Sequence, residues 1–582
     1  MNEKDRPTQS PEDDDMTGGD RGTKGDNGAK GDRGGGPPHR VWKLPGGVWA
    51  AMVVVLVGAW HFGAIGNEFY FDDRPQIIEG QLNRSWESVG TIFASEVWRN
   101  VEGGERLAKA TVDTYRPLFN LSLLVDYQVA GLRPAWYHAV NLLIHLINVW
   151  LVFWVGRRIV GDGAALAAAA LFGVHPAALT CIHYVSSRPD SASTLFVLLS
   201  AGVALRGRWR FGGRVGAAAA SLFVALLWKE TALIALVVVP LLYWVGDAGA
   251  APRRALAMAG ALVGAAAVYF ALRFNALHAV KAVEDGSHAV AMLLSYPKAL
   301  LYWLRAAVLV YTPLPLHAFA PLGWPVAGWV LALVVAVYAG IAGVGFGAVF
   351  RRRRWAALLL WSLMGIAPPM AAVVRTDVID GHYFYPMVPG VALLLGLGLC
   401  QPFWRRVAGL WRPVLAGVII VSAAARSGAV GASFRTEVGF YGAIVESGYH
   451  APSAIYSFAN ALQRAGRVDE AVVQYRRVLR EHPRYADAKA HNNLSVALLQ
   501  QGDALGAESH AREALALKPG EARYHYNLAL ALAKQRRWAA FGESLGRALA
   551  LDPQHADARQ LSAQFCASAQ GRQAPGLCGA GQ

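Results

Sequence analysis

GVWAAMVVVLVGAWHFGAIG, residues 47–66, runs for twenty residues without Asp, Glu, Lys or Arg. At ~1.5 Å per residue, a helix of this length crosses the ~30 Å apolar core of a bilayer. Further apolar runs follow near 136–156, 163–182, 190–205, 215–228, 231–246, 255–273, 326–349, 355–374, 383–400 and 413–425. Residues 291–311 form one more, interrupted by Lys298 and Arg305, which either crosses or lies in the interface. Only helices and closed barrels satisfy backbone polar groups in lipid, and these runs lack two-residue alternation. The chain therefore reads as all-α, with a polytopic membrane domain of about 11–12 spans.

Composition agrees. Of 582 residues, 54% are apolar and 16% charged, and the formal net charge is +15. That charge would suit nucleic acid, but the excess lies in the most apolar region, which argues against such a partner. It sits at Arg157 and Arg158, Arg206 to Arg214, Arg253 and Arg254, Arg351 to Arg354, and Arg405 to Arg412. Placing all of these connections in the cytoplasm yields one topology. The N-terminus is inside, and loop 67–135 and everything after 425 are outside. The Ala-, Gly- and Arg-rich composition suits a bacterial inner membrane.

Residues 1–44 cannot build a core. Gly19 to Gly34 keep a period of three, a collagen-like pattern that is short and lacks Pro at the repeating positions. A disordered cytoplasmic tail is expected, and no cleavable signal is read there. Residues 45–445 form the membrane domain. Residues 446–566 repeat differently: Pro483, Pro519 and Pro553 lie 36 and 34 residues apart, each ending a pair of helices. That period resembles tetratricopeptide repeats, stacked helical hairpins that bury their apolar faces only against neighbours. The third copy departs, with Arg536 and Phe541 where Gly and a small residue are usual. Residues 555–566 supply a cap, and 567–582 a flexible tail. Cys566 and Cys578 pair if that end is extracytoplasmic, whereas Cys181 and Cys400 are packing residues.

The polar motifs gather on the outer face of this topology. NEFYFDDRPQI, residues 67–77, sets Asp72 and Asp73 at the bilayer edge, where a carboxylate can orient or deprotonate an acceptor hydroxyl. Phe69, Tyr70 and Phe71 are expected at headgroup level. Arg188, Lys229 and His382 are positive donors suited to a phosphate. Arg116, Glu230 and Tyr383 stand beside them in YRP, WKE and HYFYP. The plainer alternatives are helix capping for Arg188 with Asp190 and a local ion pair for Lys229 with Glu230. His138, Asn141 and His145 share one helical stripe that suits bonding between helices. No cofactor is demanded, although two adjacent carboxylates leave a divalent metal open.

The order of these elements is more specific than any one of them. An acidic pair after the first span, YRPL, HAVNLLIHLINVWL, HP then SRPDSAS, WKETA, HYFYP and the repeats resemble the transmembrane and tetratricopeptide-repeat O-mannosyltransferase-like proteins. These belong to the GT-C class of membrane glycosyltransferases. The resemblance implies transfer of a sugar from a polyprenyl-phosphate carrier to an acceptor, a protein hydroxyl among the options, at the outer face. It makes Asp72 or Asp73 the acidic residue of the first outer loop, with His382 where the family carries Arg. The repeats would hold the acceptor or a partner. The rival reading is a non-catalytic scaffold presenting the repeats for envelope assembly. A transporter ranks last, because no internal repeat is visible among the spans.

Overall fold

The computed structural model describes residues 45–97, 114–247, 249–277, 294–300, 303, 316–318, 328–365, 370, 378–399, 411–447, 451–482, 487–568, 570 and 573–578. The tail 1–44, Cys400 and most of 291–311 lie outside this set. Among the described residues, six helical segments are long and apolar enough to cross a membrane: Gly46–Gly66, Pro134–Ile159, Phe211–Trp228, Pro252–Leu277, Gly381–Leu399 and Pro413–Phe434. Asp162–Val174 and Pro176–His183 pass the same test as a pair, bent by 56° where they meet. The break falls at His175-Pro176, where the proline cannot donate to the helical ladder and the His175 ring accepts from the Ala177 amide instead.

The expected count of about 11–12 spans is therefore larger than the number of helices that cross by length alone. The other expected runs fall on 291–311, most of which lies outside the described residues, on the 23-residue helix Gly328–Phe350, on shorter apolar helices such as Glu230–Gly246 and Arg354–Met364, and on Arg188–Ala204. That last helix is buried along most of its length and carries Arg188 and Asp190 in its first turn. Outward faces are apolar, with Val55, Leu56, Leu256 and Val263 all exposed, as lipid contact requires.

Pro134–Ile159 is the central strut. It packs on Asp162–Val174 and Arg188–Ala204. Small residues let helices approach closely: a Cβ on Gly396 would run into the Ala164 carbonyl of the neighbouring helix. The polar stripe of the strut is bundle glue. His145 is 2.8 Å from the Tyr385 hydroxyl and 3.1 Å from the Gly173 carbonyl, and Asn148 donates to Tyr385 and to the Ser191 carbonyl.

The basic connections between 157 and 354 meet at one end of the bundle. Arg214 pairs with Asp247, Arg352 donates to the Ala250 carbonyl, and Arg354 to that of Ile159. A short antiparallel pair joins 316–318 to 378–380.

The C-terminal region stacks three helical hairpins: Pro452–Arg464 with Val468–Glu481, Ala488–Gln501 with Ala504–Leu517, and Ala522–Lys534 with Trp538–Leu551. Gly466 and Gly502 close the first two turns with φ of 76° and 91°, a region that costs glycine nothing. Arg536 adopts φ of 58° at the third turn, so the backbone keeps its shape without the glycine. Phe541 is buried against Phe565 of the capping helix Ala556–Cys566, with ring centroids 4.6 Å apart. The capping helix thus covers the large residue. Cys566 and Cys578 are joined in a disulfide that ties the cap to the short helix Pro575–Cys578.

Candidate functional site

The loop after the first span is held from two sides. Asn67 donates to the His183 ring at 2.9 Å, and the Tyr70 hydroxyl donates to the His183 carbonyl at 2.6 Å. On the other side, Tyr70 and Phe71 pack against Phe440 of helix Glu437–Glu446, which leads into the repeats. Phe69 and Tyr70 are buried in protein. Tyr70 and Phe71 serve the junction between membrane domain and repeats, whereas Phe69 packs edge-on against Tyr137 within the membrane domain. Phe71 has φ of 53°, an unusual conformation for a bulky side chain, and it lies directly before the acidic pair.

The two carboxylates differ. Asp73 is fully buried and accepts from the Ser186 amide at 2.7 Å, the Ser186 hydroxyl at 2.6 Å and the Val185 amide at 3.3 Å. Burial pushes its carboxyl up to about 7, against the opposing pull of those hydrogen bonds. Asp72 is only half-buried. Its charge reaches Tyr441, whose phenol burial pushes upward, with Glu437 and Asp72 adding to the shift.

A second cluster lies where Phe211–Trp228 ends. Lys229 has extended backbone, so the chain breaks helix there and turns its next residue the other way. Lys229 Nζ donates to Asp190 Oδ2 at 2.7 Å, and His382 Nε2 lies 3.7 Å from the same oxygen. The ammonium also sits 5.4 Å from the Tyr383 ring centroid. Glu230 takes a separate partner, Arg116, at 2.8 Å. Lys229 and Glu230 are thus not a local pair, and Asp190 holds a lysine instead of capping its helix. Exposure is graded: it is 19% for the Arg116 side chain, 28% for Glu230 and 15% for His382, against 5% for Lys229 and 1% for Asp190. The outer members can therefore meet a ligand, while the inner pair is closed to solvent.

Arg188 is not presented in this way. It is fully buried, and its guanidinium donates to Asp126 at 2.5 Å, Asn141 at 2.7 Å, Ser122 at 3.0 Å and the Tyr137 carbonyl at 3.1 Å. It pins the start of its helix to the central strut. Sequence reasoning missed Asp126 as its counter-charge, although a lone acid in the apolar segment VDYQVA was the available signal. It also missed Ser186 as the partner of Asp73. No signal in the sequence pairs those two.

Among the described residues no three metal-ligating side chains converge. Asp73 already spends both oxygens on Val185 and Ser186. Asp377 lies outside the described residues.

Two overlapping stretches, 456–522 and 497–556, match the tetratricopeptide repeat family. The chain is similar to protein O-mannosyl-transferase Tmtc1 of Drosophila melanogaster, 28% identical over 273 residues, covering 44% of this chain and 31% of that protein. It is similar to protein O-mannosyl-transferase TMTC4 of Mus musculus, 30% identical over 168 residues, covering 26% and 22%. The chain thus spans less than a third of the length of these curated relatives. Among solved structures, ArnT from Cupriavidus metallidurans bound to undecaprenyl phosphate aligns with 86% of this chain and 79% of its own, at 18% identity and a TM-score of 0.34. The O-mannosyl-transferases are the proteins to which the order of the sequence motifs points.

Proposed function

We propose that this multi-pass membrane protein is a glycosyltransferase that moves a sugar from a polyprenyl-phosphate carrier to an acceptor hydroxyl at the outer face, with the repeats holding the acceptor or a partner. The observation that carries this reading is the convergence of Lys229, His382, Tyr383 and the Arg116–Glu230 pair around Asp190. The named activity of the relatives supports it. The Cys566–Cys578 disulfide favours an oxidising compartment for the repeats.

In the proposed step, the acceptor oxygen attacks the anomeric carbon of the sugar. The bond from that carbon to the carrier phosphate breaks, and the electron pair leaves with the phosphate. His382 and Arg116, backed by Lys229, stabilise the charge that develops there. The acceptor proton goes to Asp72, whose carboxylate is the more open of the pair. Asp73 acts through position: its bonds to Val185 and Ser186 lock the loop that carries Asp72. Arg188 supports the bundle and does not touch the donor.

The test is turnover of a polyprenyl-phosphate-linked sugar by purified protein, with and without a peptide acceptor. Asp72→Asn and His382→Ala should each lose turnover while remaining folded. Unchanged turnover in both variants sinks the mechanism. Inactive wild-type protein, together with unchanged glycans when the gene is deleted, favours the scaffold.

A further inference from the structure

Three helices, Pro134–Ile159, Arg188–Ala204 and Phe211–Trp228, leave a cavity of about 390 Å³ open to the outside of the bundle. Trp150, Trp154, Leu199 and Val203 form its walls, and Trp209 and Arg206 stand at its rim. The volume is in the range that holds a small ligand, ~300–1,000 Å³. It lies among the basic connections, not near Asp190. Along helix Arg188–Ala204, Val203 of the cavity wall lies 13 residues beyond Asp190, about 20 Å of axis.

The charges at the rim are arranged for an anion. The Arg206 guanidinium sits 4.7 Å from the Trp209 ring centroid, and that of Arg158 sits 4.9 Å from Trp154. Among the described residues neither arginine has a carboxylate within 4.0 Å, whereas neighbouring Arg157 is paired with Asp162. Arg158 gives one N–H to the Trp154 carbonyl at 2.8 Å, and a guanidinium over an indole face keeps its remaining N–H groups for an anion. Below the rim the walls are apolar. A free phosphate would satisfy the arginines and leave the apolar slot unused. A lipid tail alone would fill the slot and leave the arginines unused.

We propose that this groove is a binding site for one anionic diacyl phospholipid, its phosphate against Arg206 and Arg158 and an acyl chain between Trp150, Trp154 and Val203. A choline headgroup would set its own cation beside two arginines and is disfavoured. A headgroup of net negative charge, such as glycerol phosphate, is preferred. The proposal does not depend on the reading of the Lys229 cluster.

The experiment is native mass spectrometry of the full chain released from mixed phosphatidylcholine and phosphatidylglycerol bilayers. Wild-type protein should retain phosphatidylglycerol over phosphatidylcholine. Arg206→Gln should weaken that retention roughly tenfold, the effect of losing one charged hydrogen bond. Arg206 is exposed, so the variant folds. Arg253→Gln removes an equally exposed arginine from another basic connection and should change nothing. Equal retention of the two lipids by wild-type protein overturns the proposal. So does an equal loss in Arg253→Gln, which would show diffuse surface charge without a site.

Discussion

Asp72 and Asp73 are neighbours in sequence with opposite surroundings, and exchanging each for Asn separates their roles. Asp73 is enclosed, accepts three hydrogen bonds, and titrates at about 7 when folded against 3.8 when unfolded. The folded chain therefore holds a proton through this interval after the unfolded chain has lost it. The contribution of Asp73 to stability is fully present below about pH 4 and lost as pH rises through 7. Each tenfold change in proton affinity between the two states is worth ~1.4 kcal/mol, which gives roughly 4 kcal/mol across the window. Asp73→Asn cannot titrate. It keeps an oxygen for Ser186 but turns an amide donor toward the Val185 N–H, costing about 1–3 kcal/mol at low pH. The stability difference between wild type and Asp73→Asn should shrink or reverse from pH 4 to pH 8. Asp72→Asn, at a half-buried position, should melt like wild type and lose about 10²–10⁴-fold in transfer. The assays are thermal unfolding of the purified full chain across pH, and donor turnover at one pH. A flat difference for Asp73→Asn refutes the enclosed pocket. Full turnover in Asp72→Asn, with none in folded Asp73→Asn, refutes the division of roles.

Asp190→Asn leaves buried Lys229 without its carboxylate, which should cost about 3–5 kcal/mol in thermal unfolding. Adding Lys229→Met should restore stability but not turnover, and recovery of both would remove Lys229 from the site. Arg536→Gly relieves a left-handed backbone worth about 1–2 kcal/mol, less ~0.5–1 kcal/mol of added chain entropy, so melting should rise slightly. His491 and His510 face each other at 3.0 Å, and burial holds both rings below the usual histidine range. Their contribution is present above 6.5 and lost as pH falls, so His491→Gln should flatten the decline in unfolding temperature on acidification.

The membrane class and the repeat array were legible because both rest on periodicity and length, which the chain displays directly. Arg536 and Phe541 were visible as departures, and the structure explains the second by the capping helix that packs on it. Lys229, His382 and Tyr383 were legible as polar residues at apolar boundaries, because such residues are costly unless used. Their partners were not. Asp190 looks like a helix cap from its local sequence, and only tertiary packing turns it toward a lysine 39 residues away. Arg188 looks like an anion ligand for the same local reason, yet Asp126, 62 residues earlier, claims it. A motif states which residues are polar, while the identity of each counter-charge depends on how helices cross.

The junction between membrane domain and repeats follows from that crossing. Phe71 holds a left-handed backbone that costs about 1–2 kcal/mol. Its ring lies 5.9 Å from Tyr184, 6.1 Å from Phe440 and 6.4 Å from Tyr441, each contact within the range where aromatic pairs add ~0.5–1.5 kcal/mol. Glu437, on the same helix as Phe440, receives a two-pronged bond from Arg464 of the first repeat hairpin, and its own amide donates to Glu68. The loop bearing Asp72 therefore shares one packed core with the base of the repeats. A displacement of the first hairpin cannot leave Phe71 in place without exposing these rings. Phe440→Ala should relax Phe71 and slow transfer without touching donor or acceptor. Its loss should fall on kcat for the carrier-linked sugar, with donor KM unchanged, because the Lys229 cluster remains whole. A rise in donor KM alone would place the repeat junction outside the working loop.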